Sequence, residues 1–258
     1  MLTPRPGSRA KERIVGYGPM NSGKTFASTT LADMYRRTNT PGHFHVISTE
    51  WQAYDRALEL YDDCENVTVV EALDWAEMVD RTVGIANKAT SDDWLVFDSI
   101  GNAWSFVQDD YCAQRWGTSG KEYFGELRDR GGESEINWSI VNARYQGWMN
   151  PNVLRFPGHV YATSPAEELR APAKSGKESE AKEIRQLYSR YGLKPTGQKR
   201  LGFMFHSILL MTSPSKGVYD ITTVDDHARQ QLDHVEVAGP PFGFVQTYLM
   251  DVAHWEIT

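Results

Sequence analysis

Gly18-Pro19-Met20-Asn21-Ser22-Gly23-Lys24-Thr25 fits the pattern G-x-x-x-x-G-K-[ST] at every fixed position. Each residue type answers a need of phosphate chemistry. The glycines let the backbone curl so that its N–H groups converge on phosphate oxygens. Lys24 carries positive charge to the outer phosphates, and the Thr25 hydroxyl is a ligand for Mg²⁺. The flanks agree with this reading. Arg13-Ile14-Val15-Gly16-Tyr17 reads as a short strand. Thr25 to Arg37, with Ala, Leu and Met on one side, reads as a helix whose positive end faces the loop. Thr38-Asn39-Thr40-Pro41-Gly42 stops that helix. A chain of this length matches the octet by accident roughly one time in a hundred, and the strand–loop–helix context makes an accident rarer still. Gly18, Pro19, Met20, Asn21, Ser22, Gly23, Lys24, Thr25 and Phe26 are therefore expected to hold the phosphates of a nucleotide, ATP. Gly16-Tyr17-Gly18 does not make a dinucleotide fingerprint, because Asn21 stands where the third glycine belongs.

A phosphate loop of this kind needs a second carboxylate-bearing strand. Trp94-Leu95-Val96-Phe97-Asp98 is apolar on both faces, as a central parallel strand is, and ends in an acid. This is the Walker B pattern, with Asp98 beside Thr25 as the expected Mg²⁺ holder. The next residue is Ser99, so the water-activating Glu that many motor ATPases carry directly after the Asp is absent. The general base must come from elsewhere. Glu50 ends the strand His43–Thr49, the first after the phosphate-loop helix, and strand carboxyl ends converge on the ligand crevice of an α/β sheet. Glu50 is the expected catalytic carboxylate alongside Lys24, and Glu71, at the end of the next strand, is the alternative.

Further strands are expected over 66–70 and 159–163, and helices over 51–61, 74–88, 101–115 and 134–149. This alternation indicates α/β architecture with a mainly parallel sheet flanked by helices. After residue 200 the pattern changes to strand, turn and strand (201–212, 213–217, 218–224), a hairpin appended to the sheet. Residues 1–12, with prolines, a glycine and basic side chains, read as a flexible tail, and 13–258 as one domain. Hydrophobic residues make up 40% and charged residues 24% of the 258, ordinary for a globular chain. The apolar runs are too short to span a bilayer, and no signal peptide is visible. Cys64 and Cys112 have no metal-type spacing, which suits a reduced, cytoplasmic protein. His43 and His45 alternate on one strand without a metal cluster, and Trp104, Trp116, Trp138 and Trp148 read as core or subunit contact.

The formal charge is −7, so any nucleic-acid contact must be local. Residues 169–200 supply one candidate, with nine basic side chains against three acidic ones, a net +6. Lys174, Lys177, Lys182, Arg185, Arg190 and Lys194 are the expected phosphate-backbone contacts. Tyr188 and Tyr191 are available to stack on bases. The bland alternative is a solvated insertion with a surface helix over 181–191. The glycine-rich stretch 113–135 is a second, weaker candidate of mixed charge.

The phosphate loop, the strand and Glu in HVISTEW, and LVFDS together resemble the RecA-type ATPase core, most of all the short RecA-like ATPases of bacteriophages, some of which are single-strand annealing recombinases. The resemblance covers roughly residues 13–225; only the phosphate loop and Walker B are specific. It implies a RecA-like fold, a catalytic Glu at position 50, DNA-binding loops near 113–135 and 169–200, single-stranded DNA as partner, a homo-oligomeric ring or filament, and work in the host cytoplasm. It also implies a finger residue from a neighbouring subunit, for which Lys199, Arg200 and Lys216 are candidates. Two departures stand out. Thr163 and Ser164 occupy the place of the family's phosphate-sensing Gln, and there is no recognisable N-terminal polymerisation domain. The competing functions are a packaging or helicase motor, a small-molecule or nucleotide kinase, and a nucleotide-gated binding module.

Overall fold

The computed structural model describes residues 1–4, 11–50, 54, 58–59, 64–117, 138–170, 181–215, 218–227, 236–239, 249–250 and 255–257. Eleven strands lie among them: β1 (Leu2–Pro4), β2 (Arg13–Gly18), β3 (Phe44–Ser48), β4 (Val67–Glu71), β5 (Trp94–Asp98), β6 (His159–Glu168), β7 (Leu193–Pro195), β8 (Ser207–Ser215), β9 (Val218–Asp226), β10 (Glu236–Gly239) and β11 (Trp255–Ile257). The helices are α1 (Lys24–Arg37), α2 (Trp75–Ala86), α3 (Gly101–Trp116), α4 (Trp138–Trp148), extended by a π-helical turn to Leu154, and α5 (Lys182–Tyr188).

The main sheet runs β10-β9-β8-β2-β6-β5-β3-β4, with β7 paired to the far end of β6. From β8 to β4 neighbouring strands are parallel, and β9, β10 and β7 are antiparallel to their neighbours. β6 therefore lies between the phosphate-loop strand β2 and the Asp98 strand β5. This is the RecA-like P-loop architecture, a mainly parallel sheet flanked by helices.

The strand sequences divide cleanly between two cores, because successive side chains point to opposite faces. Val15, Tyr17, Leu95, Phe97, Val160 and Ala162 pack with α2, α3 and α4 on one face. Ile14, Trp94, Val96, Tyr161, Leu209 and Met211 pack with α1 and Trp255 on the other. Capping fixes α2: the Asp74 carboxylate accepts from the Glu77 N–H (2.8 Å), and the Glu77 carboxylate accepts from the Leu73 N–H just before the cap (2.8 Å). The four tryptophans divide: Trp148 is buried, Trp104 and Trp116 pack against the core, and Trp138 stands exposed at the first turn of α4.

Three expectations change. The hairpin is present, but its first strand begins at Ser207 rather than 201. Met204 and Phe205 donate to the Leu201 and Gly202 carbonyls, so 201–206 is folded into tight turns, which an apolar run alone cannot distinguish from a strand. Within the expected tail, Leu2–Pro4 pair antiparallel with Trp255–Ile257, and Glu12 is buried. The surface helix over 181–191 is shorter and docked, with Ile184 and Tyr188 in the core. Most of the expected helix 51–61 lies outside the described residues, though Tyr54 is buried with its hydroxyl donating to Ser28 (3.0 Å). The stretch 118–135 and residues 242–248 also lie outside them.

His159 is buried at the start of β6, stacked on Trp94 and edge-on to Trp255, with its Nδ1 accepting from the Glu12 N–H at 3.1 Å. Burial drives its pKa from 6.5 down to about 3, and Arg13 and Lys11 push the same way. The unfolded chain binds this proton at a pH where the native chain does not, so the contribution is full above pH 6.5 and is lost as pH falls towards 3. Denaturant unfolding between pH 7 and pH 4 should show a loss of about 3 kcal/mol, and His159→Gln should flatten that acid arm.

Candidate functional site

The phosphate loop leaves β2 at Gly18 and enters α1 at Lys24. Two glycines are demanded by contact as well as conformation. A Cβ at Gly18 would lie 2.0 Å from the Met211 carbonyl oxygen. Gly23 sits at φ +86°, with the Tyr219 ring of β9 2.7 Å from where a Cβ would be. Asn21 also takes a left-handed conformation, at φ 60°. Met20 stands at the loop's apex, 89% exposed.

Lys24 folds back over the loop. Its Nζ donates to the Gly18 and Pro19 carbonyls (2.9 and 2.6 Å) and to the Ser22 hydroxyl (3.2 Å). Burial lowers its pKa, while Asp98 and Glu50 hold it up. The Thr25 hydroxyl donates to one oxygen of Asp98 at 2.9 Å, and the Thr163 hydroxyl to the other at 2.5 Å. Asp98 is buried, which raises its pKa; the two hydroxyls and Lys24 act in the opposite direction.

Glu50 stands just beyond β3, at the mouth of the site. Enclosure on its inner side, and then Asp98, raise its pKa against the lowering effect of Lys24. The strand end that carries it is clamped to Asp98 and Ser99. The Thr49 N–H donates to the Asp98 carbonyl (2.7 Å), and its hydroxyl bonds both the N–H and the carbonyl of Ser99 (2.9 and 3.0 Å) while accepting from Asn102 (2.9 Å). The Asp98–Ser99 peptide is cis.

One cavity of about 500 Å³ is lined by Gly18 to Phe26 together with Glu50, Asp98, Ser99, Thr163, Pro165 and Ala166. The structure thus brings Lys24, Thr25, Asp98 and Glu50 to a single space, with Glu71 absent from its lining. For Mg²⁺, one carboxylate and one hydroxyl are a fitting protein contribution, because this cation takes few protein oxygens and completes its shell with phosphate and water. The described residues hold no cluster of three or more His, Cys, Asp and Glu, which speaks against an all-protein metal cage there.

The basic residues divide. Lys174 and Lys177 lie outside the described residues, as does Lys216. Lys182 and Arg190 are exposed on and after α5. Arg185 is half-buried and donates to the Arg170 carbonyl at 3.0 Å. Lys194, on β7, is only 6% exposed and is ion-paired with Glu167 of β6. That pairing removes it from the accessible positive charge, which its sequence position did not reveal. Lys199 and Arg200 line a smaller cavity with Gln198, Phe203 and α5, outside the phosphate-loop cavity.

Sequence reasoning passed over Thr163 as a partner of Asp98, and over Thr49 and Tyr219. The visible signal for Thr163 was a polar pair, Thr163-Ser164, closing the apolar run from Val160. Thr163→Val keeps the shape and removes one donor from a buried carboxylate. It should weaken Mg²⁺-nucleotide binding about 10- to 100-fold, the usual effect of losing a partner that orients a metal ligand. Calorimetric titration with ADP in the presence and absence of Mg²⁺ checks this, and Thr163→Ser should recover the affinity.

The profile of the AAA-domain family matches residues 10–194, which covers β2, α1, β5, β6 and α5. No curated protein matches the sequence. Among solved structures, the chain is similar to the crystal structure of the RadB recombinase, with a TM-score of 0.54 and 13% identity over 93% of this chain and 88% of that one. At that identity the likeness is one of fold. With its phosphate loop, Asp98 and the intervening strand all inside the matched region, this chain belongs to the AAA-domain family of P-loop ATPases.

Proposed function

We propose that this chain is a Mg²⁺-dependent ATP hydrolase that binds single-stranded DNA and works as a homo-oligomer in recombination, strand annealing or replication, as its resemblance to phage RecA-like ATPases suggests. The observation that carries the hydrolase reading is the shared cavity, in which the phosphate loop, Asp98 and Glu50 face one another. The backbone N–H groups of 18–25 hold the phosphates, and Lys24 balances the charge that builds on the outer phosphoryl oxygens. Thr25 and Asp98 hold Mg²⁺, which neutralises phosphate charge when bound. Glu50 orients a water against the terminal phosphate and accepts its proton. Thr163 keeps the Asp98 carboxylate turned towards Thr25.

Single-stranded DNA is the partner favoured by the excess of basic residues over 169–200 in a chain of net charge −7. β6 supports the link, since it carries Thr163 at the cavity and Glu167 at the edge of the basic segment. Phosphate contacts of this kind weaken steeply with salt.

ATP turnover measured with and without single-stranded DNA across a salt series tests the reading. Stimulation that fades with rising salt is expected; no stimulation at any salt would overturn the DNA assignment. Glu50→Gln should retain nucleotide binding and reduce turnover about 10²- to 10⁴-fold. Because Glu50 must be ionised to act and its pKa is raised, the acid limb of the rate–pH profile should lie above the usual carboxylate range.

A further inference from the structure

Glu50 stands exposed at the mouth of the nucleotide cavity, and among the described residues no hydrogen bond reaches its carboxylate. The direction of that side chain is inherited from the backbone that carries it. Ser48 ties this backbone to the β4 side: its hydroxyl donates to the Glu50 carbonyl (2.9 Å), and its own carbonyl accepts from the Ala72 N–H (2.9 Å). Thr49, only 7% exposed, ties it to Asp98 and Ser99 at the end of β5.

The Thr49 hydroxyl is used to capacity. It donates to the Ser99 carbonyl and accepts from the Ser99 N–H and from the Asn102 amide, which fills the one donor and two acceptor sites of a hydroxyl. With both acceptor sites taken, the hydroxyl keeps one orientation. Asn102 makes its bond from the first turn of α3, whose backbone is wedged in place. The Ile100 N–H donates to the Thr163 carbonyl (2.9 Å), and the Gly101 N–H to the Ser99 hydroxyl (3.2 Å). A Cβ at Gly101 would lie 2.9 Å from the Thr196 hydroxyl oxygen and 3.2 Å from that of Ser164. The start of α3 is thus pressed against β6 and the turn after β7, and Asn102 reaches Thr49 from fixed ground.

We propose that Asn102 is a positioning residue for Glu50, acting through the Thr49 hydroxyl from outside the nucleotide cavity. This rests on the reading that Glu50 orients the attacking water, and deepens it with a residue that lines no part of the cavity. Hydrolysis depends on where that water is held, and a displacement of about 1 Å costs up to about 10²-fold in rate. Holding the phosphates and Mg²⁺ falls to the phosphate loop, Thr25 and Asp98, whereas the Asn102 amide bonds Thr49. Asn102 therefore governs turnover and leaves affinity alone. Alanine is a better helix former than asparagine, so Asn102→Ala removes the bond without weakening α3 itself.

Steady-state ATP turnover of the full chain with Mg²⁺, read beside calorimetric titration with ADP and Mg²⁺, tests the proposal. Asn102→Ala should lower kcat about 5- to 100-fold and leave the ADP affinity unchanged. Asn102→His, which offers a ring N–H at similar reach, should recover part of the loss. Glu50→Gln supplies the second background: with no base left to position, adding Asn102→Ala should lower turnover no further. Circular dichroism melts establish that each variant is folded; if Asn102→Ala unfolds, Asn102→Leu takes its place. Unchanged kcat in the folded variant would overturn the proposal and leave the hydrolase reading intact. A parallel loss of ADP affinity would do the same, because the effect would then lie on the Asp98 side of the site. So would an equal fold-loss in the parent and Glu50→Gln backgrounds, which would make Asn102 independent of Glu50. Absence of turnover in the parent chain, with ADP bound and with or without single-stranded DNA, would overturn the hydrolase reading and this proposal together.

Discussion

A buried carboxylate sits at the centre of this molecule, and much of the sheet is arranged to make it tolerable. Asp98 ends β5 away from water, where an ion without partners costs several kcal/mol. Its two oxygens are met by hydroxyls from elements remote in sequence: Thr25 at the start of α1 and Thr163 on β6. Both donors reach it only if β6 runs beside β5 and the phosphate loop opens alongside. The strand order β2-β6-β5 meets that requirement. A hydroxyl suits the position because it donates to the carboxylate and keeps a lone pair for a cation.

The same strand extends the site outward. Beyond Pro165, β6 leaves the main sheet and pairs with β7, where Glu167 and Lys194 form an ion pair that is closed on the lysine side. Ser164 bonds the Thr196 carbonyl (3.0 Å), and the Tyr17 hydroxyl donates to the Leu193 carbonyl (3.2 Å). These contacts fasten residues 193–196 to the carboxyl end of β2 and β6. Removing one partner of a buried pair leaves a charge without compensation, so Lys194 reads as a fastening rather than a nucleic-acid contact. The positive charge of this segment open to a polyanion is correspondingly narrower than the composition suggested, and lies with Arg170, Lys182, Arg190, Lys199 and Arg200 among the described residues.

Several elements were legible because a short-range rule governs them. The phosphate loop is a local backbone device, and its glycines announce it. Asp74, a capping residue type at the start of the expected helix 74–88, announces α2 in the same way. The apolar strand ending in Asp98 was legible because a strand buried on both faces has no polar side chains to spare. What escaped depends on partners distant in sequence. Thr163 and Thr49 are ordinary polar residues until the sheet sets them beside Asp98 and Ser99. The run 201–206 looked like strand because its apolar content suits either outcome, and hydrogen bonds from Gln198 to Phe205 settled it as turns.

The chain's sequence by itself determined that a nucleotide phosphate loop opens an α/β domain, that Asp98 ends a buried strand, and that positive charge is concentrated in 169–200. Each of these follows from residue type and local spacing. Only the tertiary structure decided that β6 separates β2 from β5, that Glu50 rather than Glu71 lines the cavity, that Lys194 is spent on Glu167, and that Trp138 lies outward on Trp104. Strand order and side-chain pairing are set by burial and hydrogen-bond satisfaction between segments many residues apart, and no local pattern carries that information.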